Sequence, residues 1–268
     1  FLSDIPDGTV IDGEILAWQN EAPLSFNFLQ KRIGRKTVPK ALLQSAPVIL
    51  YAYDILEWRG KDVRDSSFTY RRALLEKLCA NTPMTQPLRM SPSVSFQDWS
   101  ELASLRAEAR DHSAEGLMLK NRNSFYQAGR KKGSWWKWKL DPLTVDAVMI
   151  YAQPGHGRRA NLYTDFTFAV WSESELVPFT KAYSGLTDAE FRQITNWVRK
   201  NTLQRFGPVR QVTPHHVFEI AFEGIHESPR HKSGVALRFP RMARWRQDKT
   251  AQEANSLDDL KDMVQNYG

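Results

Sequence analysis

The chain has 268 residues, 41% hydrophobic and 25% charged, with a formal net charge of +7 and a single cysteine. At roughly 100–200 residues per domain this length makes one large domain or two ordinary ones, and the composition excludes a disordered chain. Lone Cys79 excludes a disulfide framework or a cysteine-rich metal site, and no apolar run reaches the roughly 18 residues of a membrane span.

In chain order, the opening stretch Phe1 to Gly8 has no signal-peptide core and no initiator Met, so the chain is expected to begin inside a longer protein. A single thiol without an export signal points to a reducing, cytosolic setting. Val10 to Ala17 reads as a β-strand bounded by Asp7-Gly8. Val48 to Leu56 is more continuously apolar, which predicts a strand buried on both faces. Residues 69–80 read as a helix with Leu74, Leu75 and Leu78 on one stripe. Residues 96–111 read as another, with Ser95 as N-cap, Asp98 three residues on, and Trp99, Leu102, Leu105 and Ala109 at helical spacing. Gly116 to Lys120 and Ser134 to Leu140 read as short strands.

Asp141-Pro142 marks a break, because proline disfavours helix at the preceding residue and has no place in a central strand. Beyond it, Val145 to Ala152 and Leu162 to Trp171 are strand-like and flank a glycine-rich turn, Pro154 to Arg159. A capping box, Thr187-x-x-Glu190, opens a helix carrying Phe191, Ile194 and Val198. His216 to Ile225 alternates as one strand, with Phe218, Ile220 and Phe222 against Glu219 and Glu223. A Ser256-capped helix with Leu257, Leu260, Met263 and Val264 as its apolar stripe closes the chain. Several strands and one helix in about 110 residues fit a small β-barrel.

Charge is unevenly spread. Positions 120–139 hold seven basic residues and no acid; positions 230–249 hold seven more against one acid, Asp248. Basic segments interleaved with aromatics suit a polyanion such as nucleic acid, or are simply solvated faces.

Four segments carry candidate chemistry. Asp12-Gly13-Glu14 places two carboxylates on one side of a strand, suited to ribose hydroxyls or metal-bound waters, or merely to a solvated face. Glu115-Gly116-Leu117-Met118-Leu119-Lys120 has a carboxylate before an apolar strand and a lysine at its end; strict alternation puts the two on opposite faces, so a twist or bulge is needed if both meet one ligand. In Trp135-Trp136-Lys137-Trp138-Lys139 the two lysines project together, as point charges for a phosphate or as edge-strand blockers. Arg238-Phe239-Pro240-Arg241 leading to Arg244-Trp245-Arg246-Gln247-Asp248-Lys249 is the densest signal, since arginine forks grip phosphate oxygens.

Together and in this order the segments resemble the nucleotidyltransferase motifs of ATP-dependent DNA ligases: motif III in the Asp12 strand, IIIa in Tyr51-Ala52-Tyr53-Asp54, IV in the Glu115 strand, V in the Trp135 strand and VI in the Arg238 to Lys249 run. Ser233-Gly234-Val235-Ala236 and Arg32-Ile33-Gly34-Arg35-Lys36 look most like a bacterial subgroup tied to DNA repair. The family's motif I, Lys-x-Asp-Gly, is absent: neither Asp7-Gly8 nor Asp12-Gly13 has that lysine before it. Because motif I lies several tens of residues upstream of motif III in the family, truncation is the expected cause.

The resemblance implies an α+β fold: the C-terminal part of an adenylation (nucleotidyltransferase) domain over 1–141, then an OB-fold domain with a C-terminal helix over 142–268. It implies nick sealing through lysyl-AMP and DNA-adenylate, with ATP and Mg²⁺ required. Tyr53 would stack on adenine, Glu14 hold the ribose, and Asp12 and Glu115 hold the metal. Lys137 and Lys139 would contact the α-phosphate, and Arg246, Asp248 and Lys249 the β,γ-phosphates, with Asp141 as hinge. Arg130, Lys131, Lys132, Arg158, Arg159, Arg238 and Arg241 would bind the DNA backbone. The implied partner is nicked duplex DNA, with repair nucleases or helicases as protein partners, a monomeric state and a bacterial cytoplasmic, nucleoid-associated location. Without its lysine the chain is expected not to adenylate itself. An RNA ligase or capping-type enzyme, and a non-catalytic DNA-binding relic, are the competing readings; a P-loop enzyme is set aside because no Gly-x4-Gly-Lys-Ser/Thr is present.

Overall fold

The computed structural model describes residues 5–82 and 87–267, so the first four residues of the opening stretch lie outside it. The chain divides between Leu140 and Asp141 into two compact units, each with its own core.

The first unit contains β1 (Val10–Gln19), β2 (Ala22–Pro23), α1 (Phe26–Gln30), α2 (Lys40–Ser45), β3 (Val48–Trp58), β4 (Lys61–Asp62), α3 (Phe68–Ala80), β5 (Leu88–Met90), α4 (Trp99–Ala107), β6 (Gly116–Lys120) and β7 (Trp135–Lys139). Strands β2-β1-β3-β4 form an antiparallel sheet in that order, β5 adds to β3 in parallel, and β6 and β7 form a separate antiparallel pair. Helix α3 starts where the Ser67 hydroxyl accepts the Tyr70 N–H, and it buries Arg71, Leu75 and Leu78, one face at i, i+4 and i+7. That face packs against Ala52 and Ile55 of β3 and against Leu88.

Three expectations need correction here. Strand β3 is not buried throughout: Ala52, Asp54 and Ile55 are buried, while Leu50, Tyr51 and Tyr53 keep partial exposure. The cause lies in the register. Asp12 of β1 pairs with Asp54 and Gly13 with Ala52, which leaves Tyr53 as the extra residue of a β-bulge and breaks the two-residue alternation. The N-cap of α4 is Asp98, not Ser95; its carboxylate accepts the Ser100 and Glu101 N–H groups, while Glu101 reaches back to the Gln97 N–H. The helix then runs only to Ala107 and tightens into a 3-10 turn over Glu108–His112.

The second unit contains β8 (Leu143–Pro154), β9 (Tyr163–Ser172), β10 (Glu175–Ala182), α5 (Asp188–Lys200), β11 (Thr202–Phe206), β12 (Val209–Val212), β13 (Val217–Phe222), β14 (Gly224–Glu227), β15 (Val235–Arg238), β16 (Arg241–Trp245) and α6 (Leu257–Tyr267). Strand β8 organises it. One edge pairs with β9; along the other, the first half pairs with β13 and the second with β12, so the strands wrap around a shared interior. Phe166, Phe168, Phe191, Phe218 and Phe222 fill that interior, with ring centroids 5.5 Å apart for Phe168 and Phe218. Helix α5 closes the core with Phe191, Ile194 and Val198 and carries the Thr187–Glu190 capping box. At the start of α6, the Ser256 hydroxyl accepts the Asp259 N–H while Asp259 accepts the Ser256 N–H. The stretch His216 to Ile225 is two strands rather than one: β13 ends at Phe222, and β14 leaves to pair with β15.

Candidate active site

In the first unit the site is built around the bulge. Asp12 and Glu14 lie two apart on β1, and Tyr53 emerges from β3 close enough that both carboxylates, after burial, raise its phenol pKa. Gly13 between them is required by space, since a Cβ there would sit 2.7 Å from the Tyr51 carbonyl oxygen. Tyr126 donates its hydroxyl to Asp12 Oδ2 at 2.8 Å; burial first, and this bond second, push its pKa up to about 12.

Lys120, at the end of β6, points into the same aromatic surroundings. Its Nζ is 3.9 Å from the Trp135 ring centroid, 4.8 Å from Phe68 and 5.0 Å from Tyr53, and it donates to the Tyr53 carbonyl at 3.4 Å. Burial outweighs the attraction of Asp54 and Asp12 and lowers its pKa to about 8. Behind this surface lies a fully buried ion pair. Arg71 donates Nε to Asp54 Oδ1 at 2.8 Å and Nη2 to Asp54 Oδ2 at 3.0 Å, and its Nη1 reaches the carbonyls of Ser66 and Ser124. Those bonds pin the loop after β6, which also holds Tyr126 through Tyr126 N–H to the Arg64 carbonyl.

Glu115 and Lys120 do part company. Gly116 takes φ +140°, where a Cβ would press on the Trp138 carbonyl, so the chain turns between the acid and the strand. Glu115 pairs with Lys139 at 2.9 Å. On β7, Lys137 stands opposite Met118 and Lys139 opposite Gly116, both exposed. Arg130, Lys131 and Lys132 lie exposed in the loop before β7. Among the described residues no group of three metal-ligating side chains forms a closed cage. Two separate carboxylates fit Mg²⁺ only as it is bound alongside phosphates, keeping most of its waters.

In the second unit Arg246, Asp248 and Lys249 are brought together at the end of β16. Arg246 forks onto Asp248, with Nη2 to Oδ2 at 2.7 Å, which holds the carboxyl pKa well below the ordinary range. Its Nη1 donates to Asp146 at 2.9 Å, and Lys249 Nζ donates to the same oxygen at 2.6 Å. Arg246, Asp248 and Lys249, with Trp245, His215 and His216, line a groove of about 550 Å³. His216 Nε2 is buried without a hydrogen-bond partner, and burial with the adjacent His215 lowers its pKa to about 4.

The backbone-binding candidates differ from one another. Arg159 pairs with Asp188 and stacks on Phe191, whereas Arg158 lies exposed beside it. Arg241 pairs with Glu223. Arg238 covers the Phe239 ring at 5.2 Å, and Phe239 itself is 67% exposed at φ +52°. Asp141 is the first residue of the second unit. Lys120, Tyr126 and Asp146 were missed as site residues. Only Lys120 left a signal, as the lysine ending the Glu115 strand.

Comparison with known proteins agrees with both halves. The family model "ATP dependent DNA ligase domain" matches residues 2–139, and "ATP dependent DNA ligase C terminal region" matches 159–249. A "Probable DNA ligase" of Koribacter versatilis is 38% identical over 96% of this chain and 48% of its own length. A "DNA ligase" of Natronomonas pharaonis is 34% identical over 93% of this chain and 44% of its own. The chain thus spans about half the length of these curated relatives. Among solved structures, Pmar-Lig_PreS3 superposes with a TM-score of 0.68 at 18% identity, covering 89% of this chain and 51% of that one. One described as "DNA binding with a minimal scaffold: Structure-function analysis of Lig E DNA ligases" gives 0.62 at 20% identity, covering 88% and 76%. The two units are accordingly a nucleotidyltransferase-like domain and an OB-fold, and the chain belongs to the ATP-dependent DNA ligase family.

Proposed function

We propose that this chain is the part of a nick-sealing, ATP-dependent DNA ligase that holds the nucleotide and the DNA, and that the lysine receiving AMP is supplied from outside these 268 residues. The observation that carries the reading is the shared setting of Tyr53, Asp12 and Glu14 on the β-bulge of a family member: an aromatic ring for adenine beside carboxylates for ribose and metal-bound water. ATP supplies the activated adenylyl group. Around it, Tyr53 would stack on the base and Glu14 accept from the ribose hydroxyls. Asp12 and Glu115 would hold Mg²⁺ directly or through water, and Lys137 with Lys139 would neutralise the α-phosphate. Lys139 must exchange Glu115 for that phosphate. Arg246 and Lys249 would serve the β,γ-phosphates, oriented by Asp248, with Asp141 as the hinge that admits them. Arg130, Lys131, Lys132, Arg158, Arg238 and Arg241 would follow the DNA backbone without reading sequence; Arg159 joins them only by leaving Asp188, and Arg241 only by leaving Glu223. A DNA-repair role in the bacterial cytoplasm completes the proposal.

The test uses α-labelled ATP with Mg²⁺. The 268-residue chain should form no covalent adduct, because it contains no Lys-x-Asp-Gly. The full product of its gene should form one, and should seal nicked duplex DNA in preference to nicked RNA. A labelled adduct on the 268-residue chain, or a full product that binds nicked DNA without sealing it, refutes the reading.

A further inference from the structure

The basic groups at the end of β16 are not open to a ligand as they stand; each is already paired. Arg246 bonds Asp248 and Asp146, Lys249 bonds Asp146, and Arg244 donates to Glu219 at 3.1 Å. Glu219 also lies 3.9 Å from Arg246. Asp146 of β8 and Glu219 of β13 are direct register neighbours, so two carboxylates stand side by side on the barrel wall under the basic run. Among these six groups three cations face three carboxylates, and their charges cancel. Asp146 differs from the other two acids. Its side chain is only 9% exposed, it binds both Arg246 and Lys249 within 3 Å where Glu219 holds its second cation only at 3.9 Å, and its backbone is clamped on both sides by Asn255. Asp248, by contrast, is 63% exposed and lies on the same short turn as Arg246, two residues on.

We propose that Asp146 is the positioning residue of this basic cluster: it aligns Arg246 and Lys249 toward the groove, holds them charge-cancelled while no ligand is present, and gives way when a polyphosphate takes them over. Two cations on one carboxylate lie within reach of one compact anion. Contiguous phosphates offer such a pair several negative charges against the single one of a carboxylate, whereas an isolated phosphate, at roughly −1.5 to −2 near pH 7, offers a smaller excess. Asp146 thereby sets a threshold that favours a polyphosphate over a lone phosphate. This rests on the phosphate-binding role proposed above for Arg246 and Lys249.

The experiment is calorimetric titration of the 268-residue chain with metal-free sodium tripolyphosphate. Wild type should bind, and a variant with both Arg246→Ala and Lys249→Ala should not. Asp146→Asn, which removes the competing charge and keeps the shape, should bind roughly tenfold more tightly, which is about 1.4 kcal/mol. Asp146→Glu should return to the wild-type value. Tighter binding is an outcome that loss of a merely structural contact does not produce. If neither wild type nor Asp146→Asn binds, the phosphate role falls and the positioning role with it. If wild type binds through Arg246 and Lys249 but Asp146→Asn binds equally or more weakly, the charge-cancelling threshold assigned to Asp146 is wrong and the proposal falls, while the phosphate role stands. Should Asp146→Asn fail to fold by circular dichroism, the wild-type chain decides: tripolyphosphate must shift the ¹⁵N resonances of Lys249 Nζ and Arg246 Nε, and saturation without a shift overturns the proposal.

Discussion

Asp54→Asn should loosen the first unit and leave the second untouched. Asp54 and Arg71 are both fully buried, and their two bonds are 2.8 and 3.0 Å. Asp54 Oδ1 also accepts the Ile55 N–H. Removing the carboxylate charge leaves a guanidinium in the core with no counter-charge among its bonded partners, only the Ser66 and Ser124 carbonyls, one amide oxygen at position 54 and the Phe68 and Tyr126 rings. Breaking one side of a buried pair costs about 3–5 kcal/mol. A global melt of two units does not isolate that loss. Native-state hydrogen exchange does, because α3 carries Arg71 and α5 belongs to the other core. Exchange of the α3 amides should accelerate by roughly 10²–10⁴-fold, the equivalent of that free energy, while α5 amides stay unchanged. Replacing both partners with apolar residues, Asp54→Leu with Arg71→Met, should recover most of the loss, since no buried charge remains. Acceleration below tenfold in Asp54→Asn, or equal acceleration in α5, would show that the pair is not what ties α3 to β3.

Two further predictions concern pH. Lys120 has a folded pKa of about 8 against an ordinary 10.5, so the unfolded chain binds the extra proton between those values and stability contributed at this site rises as pH climbs from about 8 to 10.5. Lys120→Met should abolish that rise, read as the difference between the two proteins' unfolding free energies across the range; parallel curves would refute it. His216 has a folded pKa of about 4 against 6.5, so the folded state loses stability as pH falls from about 6.5 toward 4. His216→Phe should flatten that acid limb in the melting of the second unit, and an unchanged limb would place the acid sensitivity elsewhere.

Much of the second unit was legible because its signals are local. The capping box at Thr187 and the apolar stripe of α6 each lie within a few residues, and both take the form their spacing demands. Elements of the first unit were harder to read where a distant partner decides. The apolar run of β3 reads as buried on both faces, yet the bulge at Tyr53 depends on register with β1, which no window over β3 contains. Asp54 sits in that run as an unexplained charge until Arg71, 17 residues on, supplies the counter-charge. The sequence points to Ser95 as N-cap, yet it is the Asp98 carboxylate that meets the Ser100 and Glu101 N–H groups, a choice set by where the helix begins. The motif residues were found by type and order, but pairing of their charges was not. Glu115 with Lys139, and Asp146 with Arg246 and Lys249, are tertiary contacts that composition does not encode.

Phe239 bears on the free energy of the ligand-free chain. A non-glycine residue at φ +52° carries roughly 1–2 kcal/mol of backbone strain, and a ring 67% exposed forgoes burial as well. Glycine at this position would fold more comfortably. The loop between β15 and β16 therefore holds a small elastic reserve in solution, and a surface that covered the ring would recover the solvation part at once. Association at that loop would then be accompanied by a negative heat-capacity change, even though the arginines on either side make it look purely ionic.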